Sequence, residues 1–551
     1  MFISDKEKIN LRNLFLKKEY SKFEKKIESF GNLSSLPDYL LMGYAGSKIS
    51  NPDSKKYDFI KASIIFEKIY KKNRDNKEAL YNLIISSIKA ETSVYVLDHL
   101  KEEYRLDNKN IKIIEGLARI HFILGNMDLS VEFFEKLKKL LPKNIKDGGK
   151  STYLSFMNYV EGFDQDFYKN QCIEFAKNFN DVERNYKLDF KFKNQKIKIG
   201  FLSGDFKSHS ISFFLIDLVK KIDKSKFELF AFSNLNLKEH DQVTNFYKLN
   251  FNEWYDINSL SDKIAVNLIR SKNIDFLFDL SGFTRGNRIN VIANRCAKNQ
   301  ISWLGYNNTI GLKNVDYLLS DHYLINENEK NLYTEKILFM PSIWNAMCVP
   351  EHLPDIIEKN IDKDNTFIFG SFNNFKKISN EVIKTWSKIL NTIAGSKLYL
   401  KNSSGYNQDL YNNLFSKFIK EKVDNEKIIF LNRSSDKEFL KDYNKIDLAL
   451  DTFPYPGVTT SFQAYLMGVP VLTMKGFNMN SRCGFSINKN LKMDTLIAEN
   501  IEDYIQKAIS FKKNYNSYLS KPSLRKKSLD SNLFNTDKFV EEFSKILIKI
   551  L

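Results

Sequence analysis

The sequence predicts two parallel α/β units in tandem, preceded by a repeat built only of helices. Residues 1–145 show apolar positions at the helical period and almost no strand pattern. From residue 196 onward, short apolar runs alternate with helix-length stretches, which is typical of parallel sheets covered by helices. A chain of 551 residues is also too long for one hydrophobic core, so we expect several domains.

Composition is that of an ordinary cytoplasmic protein. Hydrophobic residues make up 43% and charged residues 27% of the chain, and no run reaches the ~18 apolar residues that a membrane span needs. The first eight residues include several charged side chains, where a signal peptide would have an apolar core. The four cysteines lie far apart without metal-site spacing, so we expect reduced thiols and no bound metal.

The charge balance favours an acidic ligand over a nucleic acid. Net charge is +17, from 84 basic and 67 acidic residues. The lysines are spread along the chain and mixed with acidic residues, without a basic arm or zinc-finger spacing. We therefore expect no nucleic-acid binding. An acidic small molecule or an acidic protein surface suits this charge.

The helical part, residues 1–145, repeats with a period of 34 residues. Two sets of positions recur at this spacing, the second set four residues after the first: Ala62, Val96 and Ser130, then Phe66, Leu100 and Phe134. With Pro142 after the last copy, the pattern resembles the tetratricopeptide repeat, whose stacked helix pairs present a groove to extended peptides. The alternative is a set of unrelated helices. Residues 146–195 are interpreted as a helical linker that docks onto the next domain.

The first α/β unit spans residues 196–350. Polar loops follow three of its predicted strands, at residues 203–210, 281–286 and 305–311. One of these strands is expected at 301–304. In a parallel sheet, loops at the carboxyl ends of strands share the edge where ligands bind.

Three residues of these loops are candidates for the acceptor or sugar side: Asp205, His209 and Thr309. His209 stands between two serines where a helix is expected to begin. A neutral imidazole there is suited to accept a proton or to orient an acceptor hydroxyl. The alternative is a surface or capping histidine.

The second α/β unit spans residues 351–535, and a C-terminal helix is expected at 536–551. Lys377 follows a predicted strand next to a helix start. A lysine in that position is suited to neutralise a phosphate. The alternative is an ordinary solvated lysine, since the chain has many.

The stretch from Asp451 to Lys475 indicates strand, tight loop, helix and strand. Two prolines and Gly457 turn the chain after the first strand, and Thr459 and Thr460 stand where the helix begins. A helix N-terminus with free backbone N–H groups at the carboxyl end of a strand is a natural phosphate site. The alternative is an ordinary βαβ turn with a capped helix.

Two Rossmann-like units in tandem, facing a cleft, are the plan of GT-B glycosyltransferases and of some epimerases. Five blocks make the pattern specific: Ile199–His209; Asp279–Arg288; Trp303–Tyr306 with Asp316–Tyr317; Phe372–Ile378; and Leu450–Tyr455 with Thr459–Thr460, Met467–Pro470 and Ser481–Arg482. In this order they resemble the SPINDLY/O-GlcNAc transferase family (glycosyltransferase family 41), over about residues 150–540. The tetratricopeptide-like front end is also typical of that family.

The resemblance implies a GT-B fold and a metal-independent, inverting enzyme that holds a nucleotide sugar in its C-terminal lobe. It implies that Lys377 neutralises the leaving diphosphate and that Asn374 makes a neighbouring polar contact. It also implies that Thr459 and Thr460 hold the pyrophosphate. His209 corresponds to the N-lobe histidine of the family, as a base or as a positioning residue.

Gly457 and Gln463 complete the predicted nucleotide-sugar site, but the nucleoside side departs from the family pattern. Gln463 stands where animal members have an acidic residue that holds the ribose. Val458 replaces a histidine before the threonine pair, and Phe439 replaces a histidine near the base. The phosphate side matches the family more closely, so the base and the sugar stay open.

We therefore expect a cytoplasmic protein O-glycosyltransferase that moves one sugar, GlcNAc from UDP-GlcNAc, to Ser or Thr of a protein. The helical repeat would present that protein, and no cofactor is expected. Two alternatives stay open. One is a GT-B protein glycosyltransferase with another donor, GDP-fucose or UDP-glucose, or with an Asn acceptor. The other is a catalytically silent tetratricopeptide scaffold.

Overall fold

The computed structural model forms two compact units. Unit 1 comprises residues 1–142 and 407–416, and unit 2 comprises residues 143–406 and 417–551. The structure describes residues 4–141, 149–179, 196–357, 366–402, 407–432 and 434–551. Pro142 and parts of the expected linker, 146–148 and 180–195, lie outside the described residues.

Unit 1 is built of helices throughout its described residues. They are α1 (Asp5–Leu16), α2 (Tyr20–Glu28), α3 (Asp38–Ser50), α4 (Lys56–Lys72), α5 (Lys77–Ala90), α6 (Leu97–Leu106), α7 (Ile111–Ile123) and α8 (Met127–Leu140). Both sets of period-34 positions are buried in it. The tetratricopeptide-like interpretation is confirmed, because the recurring residues are the ones that pack successive helices together.

The greater part of the helix Gln408–Lys420, up to Ser416, also belongs to unit 1. The Asp409 carboxylate accepts hydrogen bonds from the Ser93 backbone N–H at 2.6 Å and from the Thr92 hydroxyl at 2.9 Å. These bonds tie a distant piece of sequence to the turn between α5 and α6.

The N-terminal lobe of unit 2 is a seven-stranded parallel sheet with the order β3-β2-β1-β4-β5-β6-β7. Its strands are β1 (Ile197–Ser203), β2 (Phe227–Ser233), β3 (Glu253–Asp256), β4 (Phe276–Asp279), β5 (Asn299–Ser302), β6 (Tyr317–Asp321) and β7 (Lys336–Met340). Its helices are α9 (Lys150–Met157), α10 (Gln165–Ala176), α11 (Ser212–Lys221), α12 (Gln242–Asn250), α13 (Asp262–Ser271) and α14 (Ile289–Ile292).

The register of this sheet places the three polar loops at one edge. Ser203 at the end of β1 pairs with Ser233, Leu202 pairs with Asp279 at the end of β4, and Asp279 pairs with Ser302 at the end of β5. The loops that follow β1, β4 and β5 therefore leave the sheet side by side.

Two features of this lobe differ from the sequence prediction. The strand expected at 301–304 begins earlier, at Asn299, because its polar first residues hide its start from an apolar pattern. Strands β3, β6 and β7 were not predicted. The edge strand β3 is short, polar and largely half-buried, so it lacks the apolar run that marks a central strand.

The C-terminal lobe is a six-stranded parallel sheet with the order β10-β9-β8-β11-β12-β13. Its strands are β8 (Phe367–Ser371), β9 (Ser396–Leu400), β10 (Ile428–Phe430), β11 (Leu448–Leu450), β12 (Val471–Met474) and β13 (Ile497–Ala498). The described helices are α15 (Asn380–Thr392), α16 (Gln408–Lys420), α17 (Asp436–Lys441), α18 (Thr459–Leu466), α19 (Cys483–Asn490), α20 (Ile501–Lys513), α21 (Lys521–Leu529) and α22 (Thr536–Ile550).

The last helix, α22, returns to the N-terminal lobe. The Phe543 ring packs against Phe278 of β4 at a centroid distance of 5.2 Å, and the Thr536 hydroxyl donates to Asp217 of α11 at 2.6 Å. Two parallel α/β lobes with this crossover form a GT-B fold, as the sequence predicts. None of the described helices is long and apolar enough to cross a membrane.

Candidate active site

Asp451 organises the loop at the carboxyl end of β11. Its carboxylate is buried, and one oxygen accepts hydrogen bonds from the backbone N–H groups of Thr452 at 2.9 Å and Gly457 at 2.7 Å. The other oxygen accepts from the Thr473 hydroxyl of β12 at 2.8 Å. The loop 452–457 is thus wrapped around one side chain, which fixes where helix α18 begins.

Gly457 lies where two loops meet. The Thr460 hydroxyl donates to the Asn373 side-chain oxygen at 2.8 Å, and this bond joins the start of α18 to the loop after β8. A Cβ atom at Gly457 would stand 2.4 Å from the Thr460 hydroxyl and 2.8 Å from that Asn373 oxygen. Only glycine therefore fits at this position.

The N-terminus of α18 is open. Val458 provides no side-chain cap, and the first backbone bond of the helix runs from Ser461 N–H to the Val458 carbonyl at 3.0 Å. The backbone N–H groups of Thr459 and Thr460, and the Thr459 hydroxyl, have no hydrogen-bond partner among the described residues. Such donors at a helix N-terminus attract an anion.

Lys377 stands beside this helix start. Its ammonium donates to the Pro456 carbonyl at 2.8 Å and lies 4.0 Å from the centre of the Tyr455 ring. Burial lowers the pKa of Lys377 to about 8, although the Asp451 carboxylate pulls the pKa upward. The ammonium is therefore still charged at neutral pH, close to the helix N-terminus.

Asn374 and Gln463 flank the same region in different ways. The Asn374 side-chain oxygen accepts from the Lys376 backbone N–H at 3.1 Å and so caps the turn that carries Lys377. Gln463 lies in the second turn of α18 and is 8% exposed. Its side-chain amide has no hydrogen-bond partner within the described parts of the chain.

Asp205 and His209 lie together in the loop after β1. The Nδ1 atom of His209 accepts from the Ile211 backbone N–H at 3.5 Å and lies 4.0 Å from an Asp205 carboxylate oxygen. The imidazole side chain remains 41% exposed. Nδ1 is thus the ring nitrogen that contacts neighbouring residues of the loop.

Thr309 is buried in the loop after β5. It has no accessible surface, and its hydroxyl donates to the buried Glu335 carboxylate at 2.7 Å and also contacts the Thr334 hydroxyl at 2.7 Å. Burial raises the pKa of Glu335, while the Thr309 hydroxyl and the Ile310 N–H oppose that rise. In this structure the Thr309 side chain supports the loop 305–311.

The two lobes touch around the start of α19. Arg482 makes a two-pronged ion pair with Glu329, at 2.5 and 2.9 Å, and the Ser486 hydroxyl donates to Asp321 at 2.7 Å. The Asn307 amide nitrogen lies 3.4 Å from the Cys483 sulfur. Residues of the two lobes are therefore in direct contact here.

The structure thus brings the predicted residues into two groups. Lys377, Gly457, Thr459 and Thr460 meet in the C-terminal lobe, whereas Asp205 and His209 meet in the N-terminal lobe. Sequence patterns did not single out three residues that hold the first group, namely Asn373, Asp451 and Tyr455. An aspartate at the end of a buried strand, just before a Pro- and Gly-rich loop, is the signal that was available for Asp451.

No cluster of three or more His, Cys, Asp or Glu side chains placed to hold a metal occurs among the described residues. Lys377, which donates to the Pro456 carbonyl two residues before α18 at 2.8 Å, provides a cation beside the open helix N-terminus.

Comparison with known proteins gives a consistent result. Residues 166–366 and 358–543 match the family described as Glycosyl transferase family 41. The chain is 28% identical over 415 residues to the probable UDP-N-acetylglucosamine–peptide N-acetylglucosaminyltransferase SPINDLY of Solanum lycopersicum, covering 73% of this chain and 44% of that protein. Its Arabidopsis thaliana counterpart is 28% identical over 375 residues, covering 66% and 40%. The chain therefore spans less than half the length of these relatives.

A solved structure supports the fold. A mutant of the Thermobaculum terrenum O-GlcNAc transferase superposes with a TM-score of 0.78 at 23% identity, covering 94% of this chain and 100% of that one. At this level of identity the likeness concerns the fold.

Proposed function

This chain belongs to glycosyl transferase family 41, and from that premise we propose that it transfers one sugar from a nucleoside diphosphate sugar to a protein. We propose UDP-GlcNAc as the donor, because the curated relatives are named as UDP-N-acetylglucosamine–peptide N-acetylglucosaminyltransferases. We propose Ser and Thr hydroxyls as acceptors.

One observation carries this proposal. A charged lysine, Lys377, stands beside the uncapped N-terminus of α18, where the N–H groups of Thr459 and Thr460 are free of partners among the described residues. Sugar transfer from a diphosphate develops negative charge on the leaving group. Fixed donors and one cation stabilise that charge without the protein having to reorganise.

The reaction follows from this arrangement. The acceptor oxygen attacks C1 of the sugar from the face opposite the diphosphate, and the C1–O bond to the β-phosphate breaks with inversion. The bonding electron pair leaves with the diphosphate, which Lys377 and the start of α18 receive. The acceptor proton passes to a base or to solvent. No metal ion is required in this scheme, because the lysine and the helix supply the positive field.

His209 serves the acceptor side in this proposal. When Nδ1 accepts from the Ile211 N–H, the proton of a neutral ring is on Nε2. His209 then donates a hydrogen bond from Nε2 and positions a substrate oxygen. Acceptor attack needs this orientation more than strong activation.

Nucleotide release from a panel of sugar nucleotides (UDP-GlcNAc, UDP-glucose and GDP-fucose) tests the proposal. We expect turnover with UDP-GlcNAc, a loss of about a hundredfold in Lys377→Ala, and little change in the control Lys384→Ala, whose side chain is 55% exposed on α15. His209→Ala should lower turnover and leave UDP affinity near normal. Release from none of the donors, or full activity of Lys377→Ala, contradicts the proposal.

A further inference from the structure

We propose that Tyr455 is the positioning residue for Lys377, and that Tyr159 supports the Tyr455 ring. This inference rests on the proposed function, because it concerns the lysine that receives the diphosphate. Tyr455 lies in the loop after β11, and Tyr159 follows α9, in a segment that the sequence places before the first lobe.

The Lys377 ammonium contacts both the Tyr455 ring and the loop backbone beside it. The Lys377 Nζ atom lies 4.0 Å from the centre of the Tyr455 ring and donates to the carbonyl of the next residue, Pro456, at 2.8 Å. The face of an aromatic ring is negative and attracts a cation. Two consecutive loop residues thus hold the ammonium from two directions.

Without the ring, the Lys377 side chain would be less confined. A lysine side chain is a point charge on a flexible four-carbon stem. Burial disfavours its charged form, and the Asp451 carboxylate favours that form. The ring adds attraction for the charged form and confines the stem, so the ammonium is already in place when the leaving group develops charge.

The Tyr455 ring is in turn supported by the ring of Tyr159. The Tyr159 ring lies 4.6 Å from the Tyr455 ring between centroids, at an interplanar angle of 56°. Both tyrosines are half-buried, and neither hydroxyl has a hydrogen-bond partner among the described residues. Because the rings and not the hydroxyls make these contacts, phenylalanine should replace either residue without loss.

The experiment is a double-mutant cycle on nucleotide release. Tyr455→Leu should lower kcat about tenfold, whereas Tyr455→Phe should stay within about twofold of the wild type. On the Lys377→Ala background, Tyr455→Leu should cause no further loss, because the residue that it positions is gone. Tyr399→Leu is the matched control, since Tyr399 of β9 is a half-buried tyrosine of the same lobe.

Losses that multiply in the double variant would show that Tyr455 acts independently of Lys377, and would overturn the proposal. Tyr159→Leu provides a second variant in case Tyr455→Leu does not fold. It should lower kcat about threefold, again with no further loss on the Lys377→Ala background.

A measurement without turnover separates this inference from the proposed function. In ¹³C-lysine-labelled protein, the εCH₂ signal of Lys377, assigned by its loss in Lys377→Ala, should be shifted upfield by the Tyr455 ring. The shift should persist in Tyr455→Phe and vanish in Tyr455→Leu. Its absence from the wild type would overturn the positioning role, whereas a wild type that turns over no donor would overturn only the proposed function.

Discussion

Lys377 and Asp451 are ionisable residues whose charges are both disfavoured by loss of water. Burial raises the pKa of Asp451 to about 6 and lowers that of Lys377 to about 8. Each charge attracts the other, but for both groups the loss of hydration outweighs that attraction. Both groups are charged together only between these two values.

The pH dependence of kcat/KM should follow from this pair. We expect a bell-shaped profile that falls below about pH 6, where Asp451 gains a proton, and above about pH 8, where Lys377 loses one. Lys377→Arg should move the basic limb upward, because a guanidinium stays charged there. Asp451→Asn should remove the acidic limb. A basic limb that stays in place in Lys377→Arg would rule out Lys377 as its source.

Gly457→Ala tests the meeting point of the two loops. The new Cβ would stand 2.4 Å from the Thr460 hydroxyl and 2.8 Å from the Asn373 side-chain oxygen, so the bond that joins the start of α18 to the loop after β8 must shift. We expect UDP affinity to fall at least about tenfold, as measured by calorimetry, because helix donors act only when they are correctly placed. The control is Gly46→Ala in α3, where the nearest atom would be 4.0 Å away. Unchanged UDP affinity in Gly457→Ala would place the nucleotide elsewhere.

Local sequence patterns identified the site residues that follow a strand directly. They missed residues whose contacts depend on distant parts of the chain. Gly457, Thr459 and Thr460 follow a strand directly, so turn and cap chemistry points to them. Asn373 contacts Asp451 from 78 positions away, and this contact exists only once both strands lie in one sheet. Because Thr309 lies in a polar loop, the sequence did not predict that its hydroxyl would be buried against Glu335.

Besides α22, the segment that leads into α19 and the first turn of that helix also connect the two lobes. The Met479 backbone N–H donates to the Tyr333 hydroxyl at 3.0 Å, and Arg482 and Ser486 bind Glu329 and Asp321. The Arg482 side chain is 10% exposed and that of Glu329 is 26% exposed. The Glu329 pKa is lowered because hydrogen bonds from Arg482 and Asn326 outweigh burial, which alone would raise it.

Breaking this ion pair should destabilise unit 2. Arg482→Met should reduce the free energy of unfolding by about 3 kcal/mol, because it leaves the Glu329 carboxylate partly buried without its cation. Adding Glu329→Gln should restore part of the loss. Urea unfolding measures both effects, with Lys545→Met as the control, because Lys545 forms an exposed pair that is 71% and 64% accessible. Equal effects of Arg482→Met and Lys545→Met would show that the pair does not hold the lobes.

The strands that can be predicted from the sequence are those whose burial gives them a mostly apolar composition. Strands β1, β2 and β8 are mostly apolar and mostly buried, as expected of strands covered by helices on both faces of the sheet. β7 begins with an exposed lysine, and β3 is a polar edge strand, so neither carries that signal. Their places follow from pairing with a neighbour, which is a property of the assembled sheet.

At the scale of the whole molecule, each of the two units has its own buried core. The unit 1 core is formed by residues of α1 to α7 and the loops between them, and it includes Ala62, Phe66, Val96 and Leu100. The remaining period-34 positions, Ser130 and Phe134 of α8, are also buried. Unit 2 contains both α/β lobes, including Lys377, His209 and the start of α18. The groups proposed to bind the donor therefore belong to one unit, and the helical repeat proposed to present the acceptor belongs to the other.

This division predicts that donor binding and acceptor presentation can be separated by removing unit 1. A chain that begins at Lys143 should release nucleotide from the donor, and modify a short peptide, within about twofold of the full chain, because every proposed donor contact is retained. Transfer to a folded acceptor protein should fall about a hundredfold, which is the scale by which a second linked binding site raises apparent affinity. Asp409 loses its Thr92 and Ser93 partners in this truncation. The urea transition and UDP affinity of the shortened chain must therefore first match those of the full chain. If the matched, shortened chain then modifies the folded acceptor at the full rate, unit 1 does not present the substrate.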